Sequence, residues 1–311
     1  MKLLFKIVKE NGRGIRGDFV PVTKKKEQIE FDTSLHTAVL TKGTEAFLYL
    51  TPKDEPLMAR LGNFLKTEKI VQGYVVSEKG TLNNVKCAFF LTRHKPSPTF
   101  SKTFFRGENR IIYITGFFLA IPSLEEGKRV SNIVPHLHVV LKNIETGKTF
   151  SGHLDDAESG DIELKITPLL GKTMRRETDP NTGGMYLRTD AKKDFKPKIG
   201  DSIPFSLGPG EDFPDKLLKK LASHQVGKAR YSFAIGTLWS VTLRNNGRKK
   251  TITSHDGFEL SLTDGEASFE KGKYSHSTNV RLTDRFGRQY KGQLVSSEVK
   301  DLLEGALEVV S

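Results

Sequence analysis

The chain of 311 residues contains one cysteine and one tryptophan. A single thiol, Cys87, excludes an intramolecular disulfide and a thiolate metal cluster, and it favours an intracellular, cytoplasmic setting. Long apolar runs are also lacking. The longest, 111–122, is interrupted by Thr115 and Gly116 and is too short to span a bilayer, so no membrane role is expected. Lys6 and Lys9 break the apolar start of the chain, which reads as a first strand rather than a secretory signal. Phosphate-cradling glycine signatures are missing: neither G-x-x-x-x-G-K-[ST] nor a helix-opening G-x-G-x-x-G occurs. There is no G-x-S-x-G elbow, and Cys87 sits in an apolar strand pattern. The expectation is a protein that is not an enzyme and carries no cofactor.

What the chain does have is positive charge. Its 49 Lys and Arg against 37 Asp and Glu give a formal charge of +12. The excess is uneven: residues 1–107 hold 19 basic and 10 acidic residues, residues 108–225 hold 17 of each, and residues 226–311 hold 13 and 10. An anionic partner meeting the N-terminal third follows from that asymmetry.

Alternating apolar residues and glycine-marked turns recur along the whole sequence. They predict an all-β protein built of antiparallel sandwich or barrel domains, with a few short peripheral helices. The helical patterns are 55–67, 212–224 and 296–310; Asp212 ahead of Pro214 and Ser297 ahead of an apolar stripe are plausible starts. The reading divides the chain into a basic domain, 1–107, and a larger β-rich region, 108–311. A long polar excursion, 171–200, is expected to be exposed. Three segments share a Val-x-Leu strand, an Asn or Asp turn and a following glycine: 139–152, 241–253 and 280–292. Each reads as a strand–turn–strand unit with both apolar side chains on one face.

Histidines first suggest a site. His136 and His138 share a strand face, and folding the hairpin at Gly147 brings His153 close to His138, with Asp155 and Asp156 following. Such a set could hold zinc. The related hairpin, however, has Asn279 and Gln293 at the aligned places. The expected role is therefore a solvated polar face, with His136, His138 and His153 as the metal candidates of the chain. A His-Ser-Thr element at 276–278 fits one half of a two-histidine phosphoesterase, but the segment around His136 lacks the matching hydroxyl.

The segment 93–110 carries more specific chemistry. Arg93, Lys95, Lys102 and Arg106 alternate with Phe100, Phe104 and Phe105, against the single acid Glu108. Cations that neutralise phosphates beside rings that stack bases are the usual platform for single-stranded nucleic acid. Arg13 and Arg16 in a glycine-rich turn and the cluster Lys24, Lys25 and Lys26 extend the basic surface. The leading expectation is a non-catalytic binder of single-stranded DNA or RNA, acting mainly through backbone contacts with stacking on Phe100 or Phe104. The alternative is a structural component of a virus-type particle or other homo-oligomeric assembly, suggested by the hairpin architecture. A metal-dependent or two-histidine phosphoesterase is the third reading.

Overall fold

A computed structural model describes residues 7–9, 15–17, 40–42, 45–90, 100–125, 128–171, 174–178, 185–189 and 196–311. The fold is all-β and antiparallel, with two short helices. The first half comprises β1 (Ile7–Lys9), β2 (Ile15–Gly17), β3 (Leu40–Lys42), β4 (Ala46–Leu50), β5 (Lys53–Pro56), α1 (Leu57–Thr67), β6 (Gln72–Ser77), β7 (Gly80–Phe90), β8 (Phe100–Glu125), β9 (Lys128–Asn143) and β10 (Thr149–Gly171). A hairpin of β11 (Met174–Thr178) and β12 (Met185–Thr189) links it to the second half. That half comprises β13 (Asp201–Leu207), α2 (Phe213–Ser223), β14 (Lys228–Asn245), β15 (Arg248–Glu270), β16 (Lys273–Asp284) and β17 (Gln289–Val309). Strand β8 is continuous across residues 107 and 108.

The halves repeat one plan: an opening strand, a helix, then long antiparallel strands ending in a hairpin. In each, the helix covers one face of the sheet. Leu57, Leu61 and Leu65 recur every four residues along α1, so one stripe is buried against Val75, Ile114, Leu137 and Leu164. On α2, Phe213, Leu217 and Leu221 do the same against Leu238, Leu260, Leu282 and Leu303. Asp212 caps α2 by accepting a hydrogen bond from the Asp215 amide at 2.8 Å. The Val-x-Leu pairs all point into these cores: Val139 and Leu141, Val241 and Leu243, Val280 and Leu282 are buried. Gly287 has a positive φ of 81°, and a Cβ there would run into the Thr149 carbonyl, so the β16–β17 turn sits hard against the start of β10.

Each sheet has a second face, and these meet. Tyr74, Phe117 and Leu119 of the first half join Phe233, Ile235 and Ala306 of the second in a third apolar cluster. Phe117 and Phe233 have ring centroids 5.8 Å apart. Met174 and Leu187 of the β11–β12 hairpin also enter it. That corrects the expectation of an exposed excursion at 171–200: the described part of that segment contributes buried side chains to the joint.

The helix expected at 296–310 is strand β17 instead. It lies between β13 and β14 in the sheet. Val299, Leu303 and Leu307 enter the second core, while Lys300, Glu304 and Ala306 are buried on the opposite side. A strand covered on both faces loses its polar–apolar alternation, and the remaining pattern imitates an amphipathic helix. The helices at 57–67 and 213–223 agree with the expected segments.

Because the apolar joint is closely packed, Phe233→Ala should destabilise the protein by about 3–5 kcal/mol. Urea unfolding followed by circular dichroism would measure it, and a loss below ~1 kcal/mol would show that the halves are not held by this cluster.

Candidate functional site

The three histidines meet where the halves join. Strand alternation puts His136 and His138 on one face of β9, and the register pairs His138 with His153 on β10. Ring centroids lie 5.4 Å apart for His136 and His138, 4.7 Å for His136 and His153, and 5.8 Å for His138 and His153. The expected solvated face is not what forms: His136 and His138 are buried, at 8% and 3% exposure. The second half supplies the cover. Glu304 of β17 places Oε2 3.3 Å from His136 Nδ1, and Glu259 of β15 places Oε2 3.0 Å from His138 Nδ1. Asp155 sits 3.4 Å from His153 Nδ1. Arg176, on the linking hairpin, donates from Nη2 to His136 Nδ1 at 3.0 Å.

Burial sets the protonation of this cluster. It holds His136 well below the ordinary imidazole range, with the neighbouring His153, Arg176 and His138 adding to the effect. His153 is lowered by burial, against the opposing hydrogen bond to Asp155. Burial pushes Glu304 up to about 7, although Arg176 and the Leu187 amide, which donates to Glu304 Oε1 at 2.6 Å, pull the other way. For Asp155 burial works to raise the pKa, but hydrogen bonds from His153 and Lys102 prevail and hold it below its usual value. Cys87 is buried and its thiol is pushed well up, mainly by burial, which disfavours the thiolate.

The short Glu259–His138 approach lacks hydrogen-bond geometry: His138 Nδ1, both Glu259 oxygens and Glu304 Oε2 are buried without a hydrogen-bond partner. Among the described residues, no three His, Cys, Asp or Glu side chains are drawn together as a group able to hold a metal ion. Nor is any described helix long and apolar enough to cross a membrane.

The basic platform is placed in part. Arg13, Lys24, Lys25, Lys26, Arg93 and Lys95 lie outside the described residues. Arg16 is on β2, paired with Thr103, and Phe100 begins β8, paired with Phe90. Lys102 is exposed but forms a 3.0 Å ion pair with Asp155. Phe105 stacks on Phe150 at a centroid distance of 3.4 Å and packs against the first core. Phe104 is half-buried, with the Arg106 guanidinium 6.0 Å from its ring centroid. Both line a cavity of about 440 Å³ with Lys86, Asn84, Asp54, Asp156 and Glu158.

Sequence reasoning missed Glu259, Glu304 and Arg176. The two glutamates are more than a hundred residues from the histidines, and Glu304 lay in a pattern that imitated a helix. No local signal marks them.

Two copies of one β-rich domain, joined face to face, define the class. A model of the Plants and Prokaryotes Conserved (PCC) domain matches residues 41–169 and again 195–310, and the chain belongs to that family. No curated protein matches the chain. Among solved structures, it is similar to a plant- and prokaryote-conserved protein of Pyrococcus horikoshii at 26% identity, covering 49% of this chain and 96% of that one with a TM-score of 0.39. A metal-containing protein of Archaeoglobus fulgidus is 22% identical, covering 47% and 94%, TM-score 0.38. A candidate DNA-binding protein of Bacteroides thetaiotaomicron is 17% identical, covering 49% and 96%, TM-score 0.37.

Removing Glu304 would leave the Leu187 amide without its buried acceptor and take away the carboxylate 3.7 Å from the Arg176 guanidinium. Glu304→Ala should therefore cost about 3–5 kcal/mol. Asp155→Ala, at a partly exposed pair, should cost under ~1 kcal/mol. Paired urea titrations measure both, and equal costs would contradict the assignment of Glu304 to the joint.

Proposed function

We propose that this protein is a non-catalytic nucleic-acid-binding protein that holds a single strand of DNA or RNA, mainly by its backbone, with a base stacked on Phe104. The observation carrying this reading is Phe104 itself. It is half-buried and lines an open cavity, Arg106 lies over its ring, and Lys86 faces it across the β7–β8 pairing. Cations there neutralise phosphates while the ring offers a sequence-tolerant stacking surface. Asp54, Asp156 and Glu158 in the same cavity are acceptors for the exocyclic amine of a base. Arg13, Arg16, Lys24, Lys25, Lys26, Arg93 and Lys95 supply further charge along the strand. The lone buried thiol supports a cytoplasmic setting.

Fluorescence anisotropy with labelled single strands tests it. Binding should weaken steeply with salt, and Phe104→Ala should weaken it by about 1–3 kcal/mol. Arg106→Ala should reduce the salt slope by roughly 0.7. No binding at low salt, or wild-type binding by Phe104→Ala, would overturn the reading.

A second reading concerns the histidine cluster. Buried polar atoms without partners ask for a counter-charge, and three imidazoles with carboxylates are a donor set for a borderline divalent ion such as zinc. His136, His138 and His153 would hold it by modest closure of the rings, with Glu259 and Asp155 orienting two of them from behind. The ion would supply a cross-link of the joint rather than a reaction. About one equivalent of metal by plasma mass spectrometry, lost in His138→Ala, supports this. An unloaded protein after dialysis against zinc excludes it.

A further inference from the structure

The two domain copies use one surface differently. The β9–β10 and β16–β17 hairpins occupy the same place in their domains, and the His138–His153 pair corresponds to Asn279 opposite Gln293. In the first copy this surface is buried under the second. In the second copy Ser277 and Asn279 are exposed and Gln293 is half-buried.

Around these amides the face is cationic. Arg244 lies directly opposite Lys249 on β15 and opposite Gln293 on β17, and Arg281 lies directly opposite Lys291. All four are exposed. Arg244 reaches only the neutral Gln293 side chain, at 3.4 Å, and none of the four has an ion pair among the described residues. Arg248 and Lys250 add exposed charge at the hairpin tip. The acids along this edge are engaged: Asp264 by the Asn279 amide at 3.0 Å, and Glu266, opposite Ser277, by Lys228 at 2.8 Å. Like charges facing each other across strands oppose sheet formation. Two such pairs on one face are tolerated here without internal neutralisation, an arrangement suited to an external polyanion.

The described side chains between the cations are Thr242, Thr251, Ser277 and Asn279, with the Thr242 and Thr251 hydroxyls 2.9 Å apart. None is aromatic, so this surface has nothing on which to stack an unpaired base. It can offer charge and hydrogen bonds to phosphate and sugar oxygens, the contacts that hold a duplex without reading its sequence. We propose that this open face of the second domain copy docks on the sugar-phosphate backbone of duplex DNA without reading its sequence. The proposal rests on the nucleic-acid reading above but uses a different surface and a different form of the polymer.

The test uses the full chain and a labelled 20-base-pair duplex of arbitrary sequence, titrated at several salt concentrations. The variant carries Arg244→Gln, Lys249→Gln, Arg281→Gln and Lys291→Gln. Four lost phosphate contacts should flatten the plot of log affinity against log salt by about 3–4, and duplex affinity should fall at least about 100-fold at low salt. Its thermal midpoint should equal or exceed that of the wild type, because repulsion has been removed, and single-strand binding through Phe104 should persist. A wild-type slope in the variant overturns the proposal. So does a wild type that binds single strands but not duplex, which leaves the Phe104 reading standing. If the wild type binds neither, both readings fall. A variant that loses self-association in sedimentation velocity, with duplex binding unchanged, assigns the face to a second copy of the chain and also overturns the proposal.

Discussion

The structure depends on burying the second face of each sheet against the other. A β-sheet covered by one helix leaves its other side open. Here that side in the first half carries Tyr74, Phe117 and Leu119, which no helix of that half covers. Phe233, Ile235 and Ala306 close it. The consequence reaches the histidines, because they project from the same face as Phe117. His136 packs edge-on against the Phe117 ring at 5.1 Å, so the apolar contact that joins the halves also removes the imidazoles from water.

That removal changes the chemistry of every ionisable group at the joint. In water, His136 and Glu304 would be a weak surface pair. Buried, the imidazole is held neutral-favouring and the carboxylate is pushed up towards neutrality. Arg176, carried in from the linking hairpin, supplies positive charge. The linker thus belongs to the electrostatics of the site.

The duplication also explains an asymmetry. Equivalent hairpins face a neighbour in one copy and solvent in the other, and their residues differ accordingly: His138 and His153 where Glu259 and Asp155 approach their rings, Asn279 and Gln293 on the open face, where the Asn279 amide donates to Asp264. On the open face of the second copy Arg244, Lys249, Arg281 and Lys291 are exposed and make no ion pair among the described residues. In the 93–110 segment, by contrast, Lys102 already has Asp155. Net charge alone could not distinguish these surfaces, since it counts a paired and an unpaired lysine equally.

Much was legible in residues read locally. Alternation and turns determined the all-β class, because side chains on a strand must alternate faces. The Val-x-Leu hairpins and the helices at 57–67 and 213–223 followed from periodicity and from the Asp212 cap. Strand β17 misled because burial on both faces erased its alternation. The histidines misled because the sequence shows which face of a strand they share, but not what lies across that face. Local order determined the strands, turns and the pairing of His138 with His153. Only the tertiary structure decided that Glu259, Glu304 and Arg176 would meet them, because such contacts arise from packing whole sheets together and leave no trace in neighbouring residues.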